Sequence, residues 1–483
     1  MQPINPIQIR NLGVYGVIRE AEVDNNLIPD GAVVKAVNVN FDRKGAVQLR
    51  PGITLIAQAY ANPILGLHNA LFSGVSNNCI LAAASDGSNN IIYKSTGGAF
   101  SQSLTGDTKN LKTRFLTFSD NVIRVNGTDA MKAFTGSAWT TTGGVINVDD
   151  MASYPTKYLE SFRARVYTSG NFSKPDRLFY SSVVASDGDT ITWTPDSDYV
   201  DISPNDGENT TGLKRYFDKL LIFKPNYIYR FTSSATDPDP LIKVGTRSNE
   251  SIVEAKGGLY FHHDSGFYNY NGGEPKEISR PISDFTDAIA LSAYDDIAGW
   301  KDNDHIYWSV GDLTVEGVSF ANVVFRYTIS SDIWTIYSYP AEFTFGCGYN
   351  NGTTLYQIVG DTAGNVYTFN NGITDNGTAI SYDLETKWYD LGFVEEQKTI
   401  QSLAFLCEKA QGSFISCKVD GDKQWQSLGQ LFKWMMIADK EINCHRIKFK
   451  LSGMSTKEAF IFRGVDILKG LNRGLLQDEY RNS

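Results

Sequence analysis

The chain has 483 residues, 42% of them hydrophobic and 12% aromatic, with 25 Tyr, 27 Phe and 43 Gly. That composition excludes a disordered chain and favours short strands and tight turns over long helices. A formal net charge of −10 argues against a broad basic face that grips phosphates, but not against an acidic wall past which DNA slides.

The first fifty residues form their own unit. Leu27-Ile28-Pro29-Asp30-Gly31 is a turn signal, and Asp30 is placed to cap a short helix through Ala36. Asn38-Val39-Asn40-Phe41 alternates like a strand. Asp42-Arg43-Lys44-Gly45 turns, Ala46 to Arg50 returns, and Pro51-Gly52 stops the hairpin.

From about Ile64 to Asp390 a weak repeat recurs roughly every 40 to 50 residues, a period that fits propeller blades. Four units are clear: Lys219–Lys224 with Tyr227–Phe231, Gly258–His263 with Phe267–Asn271, His305–Val310 with Val323–Tyr327, and Thr354–Ile358 with Asn365–Phe369. Fainter units lie at Ile64–Phe72 with Cys79–Ala84, Phe115–Phe118 with Val122–Val125, and Arg163–Ser169 with Arg177–Ser182. The expectation is an all-β chain: a β-propeller of six or seven blades over 61–390, preceded by a strand and hairpin segment over 1–60 that joins the ring or propeller. Longer strands after Gly392 predict a C-terminal antiparallel β-sandwich over 391–470. Residues 471–483 read as a free or partner-docked tail. The one helix-like stretch is Gln430 to Asp439.

Candidate chemistry is sparse. His262-His263-Asp264 is the densest polar cluster, yet neighbours on a strand point to opposite faces and cannot share a metal. Ser186 to Trp193 loosely resembles the Asp-box turn of sialidase propellers, a structural hairpin that carries no acid–nucleophile pair. Asp237-Pro238-Asp239 and Asp295-Asp296 lack the alternating acids of a calcium loop. No phosphate loop, nucleophile elbow or HExxH motif occurs. The five Cys show no CxxC spacing, which predicts a reduced chain assembled in the cytoplasm. Met1 to Arg10 lacks a charged start followed by an apolar core, so no leader is expected there, and no apolar run is long enough to predict a membrane span. The chain therefore reads as a structural protein, not an enzyme, with no catalytic residue, cofactor or metal.

The segment Ala36 to Val47, closed by Arg50-Pro51-Gly52, resembles the opening of tail nozzle proteins of short-tailed bacteriophages. The resemblance rests on Asn40, Phe41, Asp42, Gly45, Arg50, Pro51 and Gly52. Upstream Gly13-Val14 and Pro29-Asp30-Gly31 fit it. Downstream, Trp388-Tyr389-Asp390-Leu391-Gly392 is similar to the junction of propeller and sandwich in such proteins. The resemblance implies a virion protein, assembled in the host cytoplasm into a homohexameric ring below the portal and adaptor rings. It also implies seats for fibres or spikes, and a lumen that retains double-stranded DNA and conducts it during ejection without sequence-specific contacts. Loops carrying Asp237 and Asp239, Asp302 and Asp304, and Asp312 and Glu316 are the candidates for an acidic gate. The alternative reading is a propeller that binds host glycan as a tail or fibre module; a glycan hydrolase is a third.

Overall fold

The computed structural model describes residues 7–19, 27–41, 45–74, 77–141, 146–184, 190–232, 239–350, 353–392, 395–408, 412–431, 435–438, 441–454 and 460–469. Seven four-stranded antiparallel units follow one another along the chain. Blade 1 begins with Ile64–Ala70, blade 2 with Arg114–Phe118, blade 3 with Tyr158–Phe162 and blade 4 with Gly212–Tyr216. Blade 5 begins with Val253–Ala255, blade 6 with Ala298–Lys301 and blade 7 with Phe343–Asn350. The chain is thus a seven-bladed β-propeller.

The middle strands of the blades are buried on both faces, as Cys79–Ser85 and Asn121–Val125 show at every position. Each blade is pressed between two others, so both sides of its central strands need apolar residues. Such runs are continuous instead of alternating. Gly66 and Gly360 mark where blades approach closely: a Cβ on Gly66 would meet the Thr113 carbonyl at 2.1 Å, and one on Gly360 would meet Ile64. Blade 7 is closed by its fourth strand, Thr54–Gln58, which pairs antiparallel with Asn365–Phe369. The last strand of the segment 1–60 thus belongs to the propeller.

The rest of that segment enters the sandwich. One sheet runs Val39–Phe41, Val47–Leu49, Ile461–Lys469, Lys398–Glu408, Met435–Ala438, with Ile7–Arg10 also paired to Ile461–Lys469 and Ile442–Cys444 to Lys398–Glu408. The facing sheet continues blade 6. Its strand Ile333–Ser338 pairs in parallel with Val33–Val37, and the order goes on through Ser381–Thr386, Ile447–Met454, Ser413–Val419 and Gln426–Gln430. Burial in Ser413–Val419 alternates with period two, one face in the core and one outside. A single apolar cluster runs from Phe267, Trp308 and Trp334 of blades 5 and 6 to Phe405, Phe449 and Phe462 of the sandwich.

Two sequence expectations are corrected here. Val33–Val37, expected as a capped helix from Asp30, is a strand held between two partners, which suits its β-branched residues. Met435–Ala438, inside the expected helix, pairs with Leu403–Leu406 as a strand, so sheet pairing overrides a weak helical period. The sandwich takes Ser381–Thr386 from before the expected boundary at 391 and four strands from the N-terminal fifty residues. The tail 471–483 and part of the Asp-box-like turn lie outside the described residues.

Candidate functional site

Three places bear on function: the motif segment, the acidic loops, and the axis of the propeller.

Within the motif, Arg50 is fully buried and all five of its guanidinium N–H groups are taken. Nε donates to Asn38 Oδ1 at 2.8 Å, one terminal nitrogen to Asp375 Oδ1 and the Pro51 carbonyl, both at 2.9 Å, and the other to Asp375 Oδ2 at 2.6 Å and the Ser338 carbonyl at 2.9 Å. Its charge also lies 3.9 Å from the Tyr339 ring centre. Asn38 in turn donates to the Ser381 carbonyl at 2.7 Å. One side chain thus ties the N-terminal hairpin to the end of blade 6 and to the link between propeller and sandwich. Gly52 cannot carry a side chain, because a Cβ would sit 1.9 Å from the Thr374 carbonyl oxygen. Gly45 holds φ +76° against the Asn11 backbone. Phe41 lies on Gly13, where a Cβ would strike its ring, and Asn40 accepts a hydrogen bond from Tyr337. Asp42 lies outside the described residues. The Pro29-Asp30-Gly31 turn is held by Lys387, which donates to the Ile28 carbonyl at 2.7 Å, and by Tyr389, which donates to the Asp30 carbonyl at 3.1 Å.

The acidic loops do not converge. Asp237 is outside the described residues, and Asp239 stands on the outermost strand of blade 4, at the rim of a fold whose axis is lined by first strands. Asp302 is a turn anchor. It accepts from His305 Nδ1 at 2.7 Å, from the Asp304 and His305 amides at 3.0 Å, and from the Tyr307 hydroxyl at 2.8 Å. Burial pushes its carboxyl up, but these donors outweigh burial and hold it at about 2. Asp304 pairs with Lys256. Asp312 accepts the Asn322 amide at 2.8 Å, and Glu316 pairs with Arg19. Both belong to the long blade 6 hairpin, whose Leu313, Val315 and Phe320 are buried in the shared core. A hairpin packed down in this way is a buttress, not a projecting gate.

The histidine cluster disperses as well. His262 is buried against Phe267 and Tyr294, His263 faces the Gly245 carbonyl at 3.1 Å, and Asp264 accepts from Nε and one terminal nitrogen of Arg247, both at 2.7 Å. No three His, Cys, Asp or Glu side chains gather as a metal site among the described residues, and no helix there is long and apolar enough to cross a membrane.

The axis carries a polar cluster that the sequence did not announce. Arg114 on the first strand of blade 2 grips Glu250 from before blade 5 at 2.6 and 3.0 Å, and its guanidinium lies 4.7 Å from the Tyr158 ring centre. Lys112 joins Asp296 at 2.9 Å and Glu250 at 3.8 Å, and Lys214 stands 3.6 Å from Glu160. Burial would raise the Glu250 carboxyl, yet Arg114 and Lys112 hold it at about 2. Glu250→Gln keeps the shape but leaves Arg114 without its counter-charge; the expected cost is about 2 kcal/mol, read as a lower urea midpoint at neutral pH. The residues come from segments far apart in sequence, so no local spacing reveals them.

Arg114, Glu160, Lys214 and Glu250 line an axial cavity of about 330 Å³, and a wider one of about 630 Å³ opens between blades 4 to 7. These are volumes of small-molecule pockets. A DNA duplex does not fit along this axis.

No family model and no curated protein matches the chain. Similar solved structures include Sqt1 from Saccharomyces cerevisiae, 10% identical, covering 66% of this chain and 99% of that one at a TM-score of 0.41. The WD40 domain of Pan2 from Neurospora crassa is 6% identical, over 66% of this chain and 95% of that one, at 0.40. The extracellular domain of a protein described as a hybrid two-component system from B. thetaiotaomicron is 10% identical, over 84% and 62%, at 0.44. The propeller assignment rests on the strand order of this chain itself.

Proposed function

We propose that the chain is a structural subunit of a short-tailed bacteriophage tail, a nozzle ring below the portal and adaptor that retains packaged double-stranded DNA and conducts it at ejection. The observation that carries this reading is the motif segment. The residues through which it resembles the opening of nozzle proteins, Arg50 and Gly52 above all, are those that lock hairpin, propeller and sandwich together. Such a lock suits a part that must bear load as one rigid body. Because the axial cavities are of small-molecule size, the duplex would pass between copies and not through a blade ring. A subunit of net charge −10 would repel DNA from such a lumen and let it slide. Copies would meet head to tail around the ring, as closed cyclic assemblies require, with a hexamer as the proposed number. Portal or adaptor and fibre or spike proteins would be its partners in the virion. The reading gives the chain no catalytic role.

The test is the mass of the purified chain in solution, with virions labelled by an antibody to it. Label at the tail base and ring particles of six chains support the reading. A stable trimer at fibre ends, or a chain absent from virions, overturns it and favours the glycan-binding alternative.

A further inference from the structure

The sandwich departs from the charge of the rest of the chain. Residues 391–470 hold 12 Lys and Arg against 9 Asp and Glu, whereas the whole chain holds 44 against 54. On the outer face of the sheet that continues blade 6, cations gather on two neighbouring strands. Along Ile447–Met454 the buried Ile447, Phe449 and Leu451 alternate with outward Lys448, Lys450 and Ser452, and Met454 follows at 56% exposed. Along Ser413–Val419 the outward residues are Phe414, 48% exposed, Ser416 and Lys418. The register sets Lys418 opposite Lys448, Ser416 opposite Lys450 and Phe414 opposite Ser452. One end of this face is basic and the other is apolar.

Two ammonium groups in one cross-strand pair repel. The carboxylates on the face lie to one side of that pair: Asp383 is 3.0 Å from Lys450 and 2.9 Å from Lys35, and Glu385 is 3.5 Å from Lys450 and 3.8 Å from Lys448. Lys418 donates to the Lys423 carbonyl at 3.4 Å and Arg446 lies over Trp388, but neither forms an ion pair among the described residues. Burial and then the charges of Lys418, Lys450 and Arg19 pull the Lys448 ammonium below its usual range, against Glu385. The cations are also fixed in place. Lys448 sits 5.1 Å from the Trp388 ring centre and 5.0 Å from that of Trp425, with Arg446 at 4.8 Å from the first and Lys450 at 5.8 Å from the second. Fixed cations beside exposed Phe414 and Met454 suit an acidic protein surface; a phosphate backbone has no use for the apolar end.

A matching surface stands on the far side of the propeller. Phe172, on the loop before the third strand of blade 3, is 90% exposed, more than any other large apolar side chain among the described residues. That loop is tied to the stretch that follows the last strand of the blade: the Ile202 amide donates to the Asp176 carbonyl at 2.8 Å, and the Asn205 amide to the Asp176 carboxylate at 3.4 Å. Six carboxylates lie here, Asp176 and the five of 196–208, against Lys174, Arg177 and the buried Lys224. Blade 3 is three blades from blade 6, opposite it in a ring of seven, and the sandwich extends outward from the last strand of blade 6. The basic and apolar face and the acidic and apolar face are therefore at opposite poles of the chain. Two different, complementary faces so placed join copies head to tail.

We propose that the outer face of the sandwich, through Lys418, Lys448 and Phe414, docks on the blade 3 face of a second copy of this chain, through Phe172 and Glu208. The inference rests on the ring reading for the identity of the partner and names the two faces that meet.

The test is sedimentation velocity on the full chain over a range of concentrations, at low and high salt. The parent is expected to associate, and high salt to weaken the association by screening. Lys418→Glu and Phe172→Asp, one on each face, are each expected to weaken it about tenfold or more. Both are expected to fold: Lys418→Glu relieves the repulsion of Lys448 and keeps or raises the urea midpoint, and Phe172 is exposed. Mixed together, the two variants are expected to form a one-to-one dimer that grows no further, because each keeps one intact face. A parent that is monomeric at every concentration, variants that associate like the parent, or a mixture without dimer overturns the inference. So does a monomeric parent that binds duplex DNA and loses it in Lys418→Glu, which gives the face to nucleic acid. Rings that form in both variants, with antibody label at the tail base, overturn these faces and leave the ring reading standing. Association lost in both variants and restored as a dimer in the mixture, with no label on virions, does the reverse.

Discussion

Arg50→Ala is expected to lower stability by about 3–5 kcal/mol, the cost of breaking a buried ion pair from one side. The reason is not the lost bonds alone. Asp375 is only 5% exposed and would keep its charge with no partner, and Asn38 Oδ1 and the Ser338 carbonyl would each lose a donor. Arg50→Lys is expected to recover little, since one ammonium with three donors cannot replace a planar fork that satisfies five acceptors. Arg50→Met combined with Asp375→Leu removes both charges and is expected to be clearly more stable than either single change. Urea unfolding of the four proteins checks this: a double variant as unstable as the sum of the singles would refute the ion-pair account. Limited proteolysis adds a second readout, because loosening this knot is expected to expose the link near Thr374 before the blades open.

The second large effect is acid sensitivity between pH 6.5 and 5, above the range where carboxylates titrate. Burial pushes His262 down to about 3 and His68 down to about 4. Both are therefore neutral in the folded protein at pH 5, while in the unfolded chain each takes up a proton below about 6.5. The unfolded state then binds more protons, so stability is complete above pH 6.5 and falls as pH drops toward the folded values. At pH 5 the two together cost about 3 kcal/mol relative to pH 7.5, with His68 discounted for its partial exposure on the axial side. Below about pH 4.5 the loss steepens as Glu250 and Asp302, both held at about 2, lose their advantage over the unfolded chain. His262→Phe, which keeps the contacts with Phe267 and Tyr294, is expected to remove about two-thirds of the slope between pH 6.5 and 5 in a series of urea midpoints. An unchanged slope would show that His262 is not the group responsible.

The blades were legible where both faces of a strand are buried. Leu220 to Phe223, Leu259 to Phe261 and Val323 to Phe325 are continuous apolar runs because other blades cover them on both sides. Outer strands such as Ser101–Thr108 are largely polar and exposed, and nothing in their sequence marks them as strands. The importance of Arg50-Pro51-Gly52 was visible as a motif. Its partner was not, because Asp375 lies in a two-residue strand that only the closed ring brings near. The same holds for Arg114 and Glu250, which meet across the axis from different blades. The acidic gate loops were chosen for charge alone, and charge does not say whether a loop is a turn anchor like Asp302 or a packed hairpin like the one bearing Glu316. The helix expected near Gln430 failed because pairing with Leu403–Leu406 outweighs a short amphipathic period.

The strand Thr54–Gln58 that completes blade 7 sets an order of events during synthesis. It leaves the ribosome before any blade exists and can find its place only after Asn365–Phe369 has emerged. Until then its unpaired edge and the first hairpin wait in solution, as do the sandwich strands that need Ile447–Met454 and Ile461–Lys469. Pairings so distant in sequence are slow to form, and open strand edges invite wrong partners meanwhile. A circular permutant that opens the chain at the exposed turn 96–98 and joins the old ends by a flexible linker would make that strand before blades 1 to 7 are all in place but next to its hairpin partners in the sandwich. It separates the two delays: faster refolding would assign the wait to the sandwich, and an unchanged rate would assign it to ring closure.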